Sequence, residues 1–178
     1  MVTIKIITKS KPIEGQGQFG NVYLVEDDQK NGYALKTISK ARVYSLCLEK
    51  HIQDERRVLK ILNSPFIMKF FRTYKDDKNV YFLTEYIRGM ELFDVIREIG
   101  LLTKPEAQFY VGSVILAIEY LHRQKIIYRD VKPENIMIDC TVISPSKPQF
   151  IELLRVIQNS LIWEHVKHSA NQVLEHLL

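Results

Sequence analysis

The feature that most restricts the fold is a polar octet set between two apolar runs. Tyr128-Arg129-Asp130-Val131-Lys132-Pro133-Glu134-Asn135 follows Ile126-Ile127 and precedes Ile136-Met137-Ile138. Short β-branched runs bounded by charge and proline read as buried strands, so the octet is expected to be a loop gripped at both ends by a core. Within it Lys132 stands two positions and Asn135 five positions beyond Asp130. That spacing suits phosphoryl transfer: Asp130 to accept the proton of an attacking hydroxyl, Lys132 to neutralise charge on the moving group, and Asn135 to hold a magnesium ion. The bland alternative is a solvated charged loop, so support has to come from other segments.

The first support is Gly15-Gln16-Gly17-Gln18-Phe19-Gly20-Asn21-Val22. Its glycines, Gly15, Gly17 and Gly20, let backbone lie close over phosphates. In a dinucleotide-binding fold such glycines open a helix, whereas here Val22-Tyr23-Leu24-Val25 has strand character. Asp27 to Gly32 reads as a hairpin turn with an Asn31-Gly32 signal, and the strand Tyr33 to Ile38 carries Lys36. A helix is expected from about Ser45 to Asn63, with Ile52, Val58, Leu59 and Leu62 on one arc and Glu55 in its middle. An acid inside an apolar stripe is costly unless paired, and Lys36 is the expected partner. A second hairpin, Met68 to Tyr74 and Val80 to Ile87, ends in Leu83-Thr84-Glu85-Tyr86-Ile87-Arg88-Gly89-Met90-Glu91. A short helix from Glu91 to Ile99 follows, then a longer one opened by Thr103 and Glu106 at capping-box spacing. Its expected apolar stripe is Ala107, Tyr110, Val111, Val114, Ile115, Ile118 and Leu121.

Together these motifs resemble the eukaryotic Ser/Thr protein kinases of the cyclic-nucleotide-dependent (AGC) group. The wording around Tyr128 is most similar to the cGMP-dependent type, and the resemblance covers about Ile4 to Asp139. It implies an α+β protein-kinase-like fold, with a small lobe at 1–88, the start of a large lobe at 89–142 and a divergent tail at 143–178. It further implies ATP and Mg2+ as cofactors and transfer of the γ-phosphoryl group to protein Ser or Thr hydroxyls. Lys36, paired to Glu55, would hold the α and β phosphates, with Asp130 as base, Lys132 as charge stabiliser and Asn135 on the metal. The backbone of Glu85 and Ile87 would bond the adenine edge, Glu91 the ribose, and Thr84 would be the gatekeeper. Val22, Ala34 and Met137 would wall the adenine slot, although apolar residues taken singly are more often ordinary core. Glu134 and Glu91 match acids that read basic residues upstream of the target hydroxyl.

Beyond Asp139 the pattern changes. The family continues to an Asp-Phe-Gly whose Asp holds metal, and no Asp follows Asp139 in this sequence. The resemblance therefore leaves a second reading open, a nucleotide-binding or interaction module without catalysis, and a third, a fragment with no independent role. Residues 150–178 have helical character, with Ile151, Leu154, Ile157 and Leu161 on one side and a break signal at Asn159-Ser160, and two readings stay open: the stretch covers the stripe of the longer helix, or it is a translated intron, frameshift or mis-joined exon with no selected packing. Composition excludes other classes. A net charge of +4 with interspersed signs gives no basic stripe for nucleic acid. Cys47 and Cys140 are too few for a disulfide framework and fit a reducing cytoplasm. No membrane span or signal segment is expected, and nothing sets an oligomeric state.

Overall fold

The structure, a computed structural model, describes residues 5–6, 20–139, 153–156 and 164–165 of the chain. Strands β1 (Lys5–Ile6), β2 (Val22–Glu26), β3 (Gly32–Ser39), β4 (Phe70–Lys75) and β5 (Asn79–Glu85) form one antiparallel sheet in the order β1-β2-β3-β5-β4. Alternation along the strands sorts side chains to two faces. On one face Ile38, Phe82 and the partly buried Phe70 and Val80 meet Ile52 and Leu59. On the other, Val25, Leu35 and Leu83 lie under Tyr23, Tyr33, Tyr74 and Tyr81.

The two hairpins of this sheet close by the same chemistry. Asp27 accepts from the backbone N–H of Gln29 and Asn31 and from the Tyr33 hydroxyl at 3.0 Å. Asp76 accepts from the N–H of Lys78 and Asn79 and from the Tyr81 hydroxyl at 2.6 Å. These bonds favour the charged form, so both carboxyls sit below their ordinary range. The Asn31 side chain is the main cause at Asp27, and the Tyr81 hydroxyl at Asp76. The Asn31-Gly32 signal is corrected here. Lys30, at φ 68°, takes the left-handed position, and Gly32 already pairs with Glu26 in the ladder. Asn31 serves instead as a donor to Asp27 Oδ2 at 2.9 Å.

The helix expected from about Ser45 to Asn63 is α2 (Glu49–Ile61), which starts four residues later, and a short helix that the sequence reading did not expect, α1 (Lys40–Ser45), precedes it. Cys47, at φ 53°, breaks the run, and Leu48 returns its N–H to the Val43 carbonyl at 2.9 Å. Helix α2 joins two cores. Ile52 and Leu59 pack on the sheet, while Val58 and Leu62 pack with Ala117, Leu121, Ile126, Tyr128, Ile136 and Ile138. This second core is supplied by α3 (Leu92–Ile99), α4 (Lys104–Arg123), β7 (Ile126–Ile127) and β8 (Ile136–Asp139). A short strand, β6 (Gly89–Glu91), precedes α3 and pairs with β8.

The capping box that opens α4 is present, with Glu106 Oε2 accepting the Thr103 N–H at 2.7 Å. The apolar stripe on α4 is narrower than its sequence suggests. Tyr110, Ser113, Ala117 and Leu121 are buried, whereas Val111, Ile115 and Leu116 are exposed. Composition alone cannot show which apolar positions a neighbouring element reaches. The helical expectation for residues 150–178 is also corrected where the chain is described. Leu153–Val156 is a strand, β9, and Glu164–His165 another, β10. Each occupies a strand edge whose backbone groups would otherwise need other partners, a tertiary demand that overrides local periodicity. The rest of that stretch, and with it most of the expected tail helix, lies outside the described residues.

Candidate active site

Register brings the nucleotide-site candidates onto one face of the sheet. Val22 stands opposite Lys36, and Lys36 opposite Phe82. Ala34 stands opposite Thr84, whose Oγ1 donates to the Ala34 carbonyl at 3.4 Å. Strand periodicity then gives Val22, Ala34, Lys36, Phe82 and Thr84 a common face, the one that meets α2. From that face Lys36 Nζ reaches Glu55 Oε1 at 3.0 Å. Glu55 is 1% exposed, and its buried Oε2 has no hydrogen-bond partner among the described residues. A carboxylate so placed depends on its one cation, because low dielectric raises both the attraction and the penalty of losing it. The expected pair therefore forms, and it forms across the sheet–helix boundary.

Gly20 is required where the chain enters β2. A Cβ there would lie 1.6 Å from the Thr37 carbonyl oxygen, so no side chain fits without moving strand backbone. Gly15 and Gly17 lie outside the described residues. At the far end of β5, Glu85 donates its N–H to the Lys69 carbonyl at 2.8 Å, and its carboxylate accepts the Lys69 N–H at 3.2 Å. Ile87 is buried. The chain then passes through Gly89, where a Cβ would lie 1.6 Å from the Ile138 carbonyl oxygen. That close approach sets Glu91 opposite Met137 across the β6–β8 pair. The sequence reading missed both Phe82, the cross-strand neighbour of Lys36, and Gly89. The only signal for Gly89 was a glycine placed directly after a strand.

The polar octet is indeed a loop between two strands, and its charged groups converge. Asn135, 1% exposed, donates from Nδ2 to the Asp130 carboxylate at 2.7 Å and to the Asp130 carbonyl at 2.9 Å. Lys132 Nζ stands 3.3 Å from the other carboxylate oxygen. Arg129 holds φ at 61°, a conformation uncommon for a residue with a side chain. Tyr128 is buried beneath the loop. Burial first, then the Asp130 charge, pushes its phenol well above the usual range while the Asn135 side chain opposes them. Tyr128 therefore stays neutral and acts as packing and as a dipole.

The acids Glu91, Asp94 and Glu134 share a field. Burial, followed by repulsion from Asp94 and then Glu134, raises the Glu91 carboxyl above its ordinary value. An acidic patch of this kind favours cationic neighbours. For a metal, the octet offers hard oxygen donors, and among the described residues no cluster of three or more His, Cys, Asp or Glu side chains could hold an ion. That donor set fits Mg2+, which keeps waters and takes one or two protein oxygens together with phosphate. It does not fit a softer metal with a dedicated cage.

Comparison with known proteins identifies the family of the sequence. The protein kinase domain profile matches residues 8–144, more than half of the chain. The cGMP-dependent protein kinase of Plasmodium berghei is 51% identical over 128 residues, which are 71% of this chain and 15% of that protein. Its counterpart in Toxoplasma gondii is 47% identical over 128 residues, 71% of this chain and 13% of that protein. The cAMP-dependent protein kinase type 3 of Saccharomyces cerevisiae is 45% identical over 127 residues, 70% of this chain and 32% of that protein. The chain thus spans less than a third of the length of each of these relatives. By the matched domain and the similarity of its first 140 or so residues, this chain belongs to the protein kinase family and is similar to its cyclic-nucleotide-dependent branch.

Proposed function

We propose that this chain carries the nucleotide-binding face and the catalytic loop of an ATP-dependent Ser/Thr protein kinase. The observation that carries the reading is the buried Lys36–Glu55 pair at 3.0 Å, an arrangement that fixes an ammonium at a chosen point on the sheet face. Lys36 binds the α and β phosphates there, and Glu55 holds it in place. Val22, Ala34, Thr84 and Met137 wall the adenine, the backbone of Glu85 and Ile87 meets its edge, and Glu91 meets the ribose. Gly15, Gly17 and Gly20 cover the phosphates with backbone. In the loop, Asp130 accepts the hydroxyl proton, Lys132 stabilises charge on the moving group, and the Asn135 amide serves both Asp130 and the magnesium ion. Bound Mg2+ supplies charge neutralisation of the phosphates. Glu134 and Glu91 favour targets with basic residues upstream of the Ser or Thr. On this reading residues 1–88 form a small lobe, 89–142 the start of a large lobe, and 143–178 a separate tail. No helix among the described residues is long and apolar enough to cross a membrane, and a cytoplasmic setting suits protein substrates and ATP.

The test is thermal unfolding of the chain with and without magnesium and ATP. A ligand at a hundred times its dissociation constant stabilises by about 2.7 kcal/mol, a rise of roughly 5–10 °C for a domain of this size. The rise should vanish in Lys36→Met and survive in Asp130→Ala. Phosphotransfer to an arginine-rich peptide should be lost in both. A second reading, a nucleotide-binding module without transfer, is favoured by one observation, that no Asp follows Asp139 to supply a second metal-holding carboxylate. It predicts the thermal shift with no phosphotransfer by the unmodified chain.

A further inference from the structure

Helix α1 presents a hydroxyl with a cation at a fixed spacing before it. Ser45 closes the helix and is exposed, as are its neighbours Tyr44 and Leu46, at 64% and 50%. Arg42, also exposed, stands three positions upstream, and Lys40 five. Among the described residues the Arg42 guanidinium enters no ion pair, so it is open to an acidic partner. The other hydroxyls lack one condition or the other. Only Ser45 and Thr103 are exposed among the described Ser and Thr residues, and no Lys or Arg lies within five positions upstream of Thr103.

We propose that Ser45 is a phosphoacceptor for this chain's own reaction, modified by one copy acting on another. The proposal rests on the kinase reading above and names a substrate for it. On that reading the acidic field of Glu91, Asp94 and Glu134 selects basic residues upstream of the target, and Arg42-Val43-Tyr44-Ser45 meets that demand. In the transfer, Ser45 Oγ bonds the γ-phosphorus, the bond from that phosphorus to the bridging oxygen breaks, and the electron pair leaves with ADP. The hydroxyl proton passes to Asp130 of the transferring copy. Helix α1 can yield to such a partner. It has six residues, too few to hold itself, and only Val43 is buried. Ser45 Oγ donates to the Arg42 carbonyl at 2.9 Å within one turn, so opening that turn frees the hydroxyl at small cost. The same fold keeps Ser45 from its own Asp130. Ser45 lies beyond the N-terminal end of α2, whereas Val58 and Leu62, toward the other end, pack with Tyr128 and Ile136 beside the loop. Nine residues of helix separate Glu49 from Val58, about 13 Å of rise. Val43 pins α1 into the sheet core with Ile52, so transfer within one copy would have to undo that packing.

The experiment uses the full Asp130→Ala chain as acceptor and the unmodified chain with magnesium and ATP as donor. An arginine-rich peptide serves as a parallel acceptor, and tandem mass spectrometry places the phosphate. Label is expected on Ser45 of the acceptor, at a rate proportional to donor concentration. Adding Arg42→Ala to the acceptor should slow labelling roughly tenfold or more, since a charged contact is lost. Arg42→Lys should restore most of the rate, which separates recognition of charge from a change in α1. Ser45→Ala in the donor should leave peptide phosphorylation unchanged. The proposal is overturned if the peptide takes phosphate while Ser45 does not, or if the Arg42→Ala acceptor is labelled at the unaltered rate. Should the Asp130→Ala acceptor fail to fold, labelling of the unmodified chain decides: a rate per molecule that rises with its concentration supports transfer between copies, and one that stays constant overturns it. If neither the peptide nor Ser45 is labelled, the kinase reading itself fails and the proposal falls with it.

Discussion

The two charged clusters of this chain are built in opposite ways. Lys36 and Glu55 meet from a strand and a helix, nineteen positions apart, with the carboxylate 1% exposed. Asp130, Lys132 and Asn135 meet within six consecutive residues, and the two charged members keep some access to solvent. The first cluster exists only because a sheet face and α2 are pressed together. The second is drawn by its own loop and needs tertiary structure only to fix its ends. Sensitivity to substitution should follow that difference: the long-range pair reports on packing, the short-range cluster on chemistry.

The largest expected effect comes from breaking the long-range pair. Lys36→Met leaves the buried Glu55 carboxylate without its cation and should destabilise by about 3 kcal/mol, roughly 6–12 °C in the unfolding midpoint. Adding Glu55→Leu should recover part of that loss, since an apolar replacement removes the orphaned charge. A Lys36→Met chain as stable as the native one would show that the pair is a functional geometry with no structural role.

Gly89→Ala tests the seam between the two regions. Its Cβ would sit 1.6 Å from the Ile138 carbonyl oxygen, so β6 and β8 must separate, at about 1–3 kcal/mol measured by denaturant midpoint. Weakened nucleotide binding should accompany this, because the β6–β8 pair sets Glu91 against Met137. An unchanged midpoint would mean that the seam yields freely.

Asn135→Ala removes both bonds to Asp130 and should cost about 1–2 kcal/mol, with phosphotransfer falling much further than stability. Equal losses of both would contradict the contrast drawn between packing and chemistry.

The smallest effect is a pH dependence at Glu91. Its folded-state carboxyl titrates above its ordinary value of 4.5, so the folded chain holds the proton more tightly than the unfolded chain. Stability from this group is present below 4.5 and is lost as pH rises through the raised value. Glu91→Gln should therefore raise the unfolding midpoint slightly at pH 7 and leave it unchanged at pH 4. A difference that grew toward acid would reverse the assigned sign.

Much of the site was legible because its signals are local. The octet announced itself by charge between apolar runs, and Glu55 by an acid at the centre of a buried arc. The capping box at Thr103 and Glu106 was readable because each partner sits on the same turn. Other features were illegible for a physical reason. The break at Cys47 depends on a left-handed residue that no glycine or proline marks. The exposure of Val111 and Ile115 depends on where α4 finds a neighbour, which helical periodicity does not encode. Leu153 to Val156 fits a helix by period and a strand by composition, and the free edge of β8 settled the choice.

The sequence by itself determined the two hairpins of the sheet, helices α2 to α4, the charged loop and the need of a buried acid for a cation, because propensity, periodicity and desolvation act over a few residues. Only the tertiary structure decided that Gly89 sets Glu91 against Met137, that Val111 and Ile115 are left exposed, and that β9 and β10 pair with β8 and β7. Those contacts join residues far apart in the chain, where register and packing, and no local preference, select the partner.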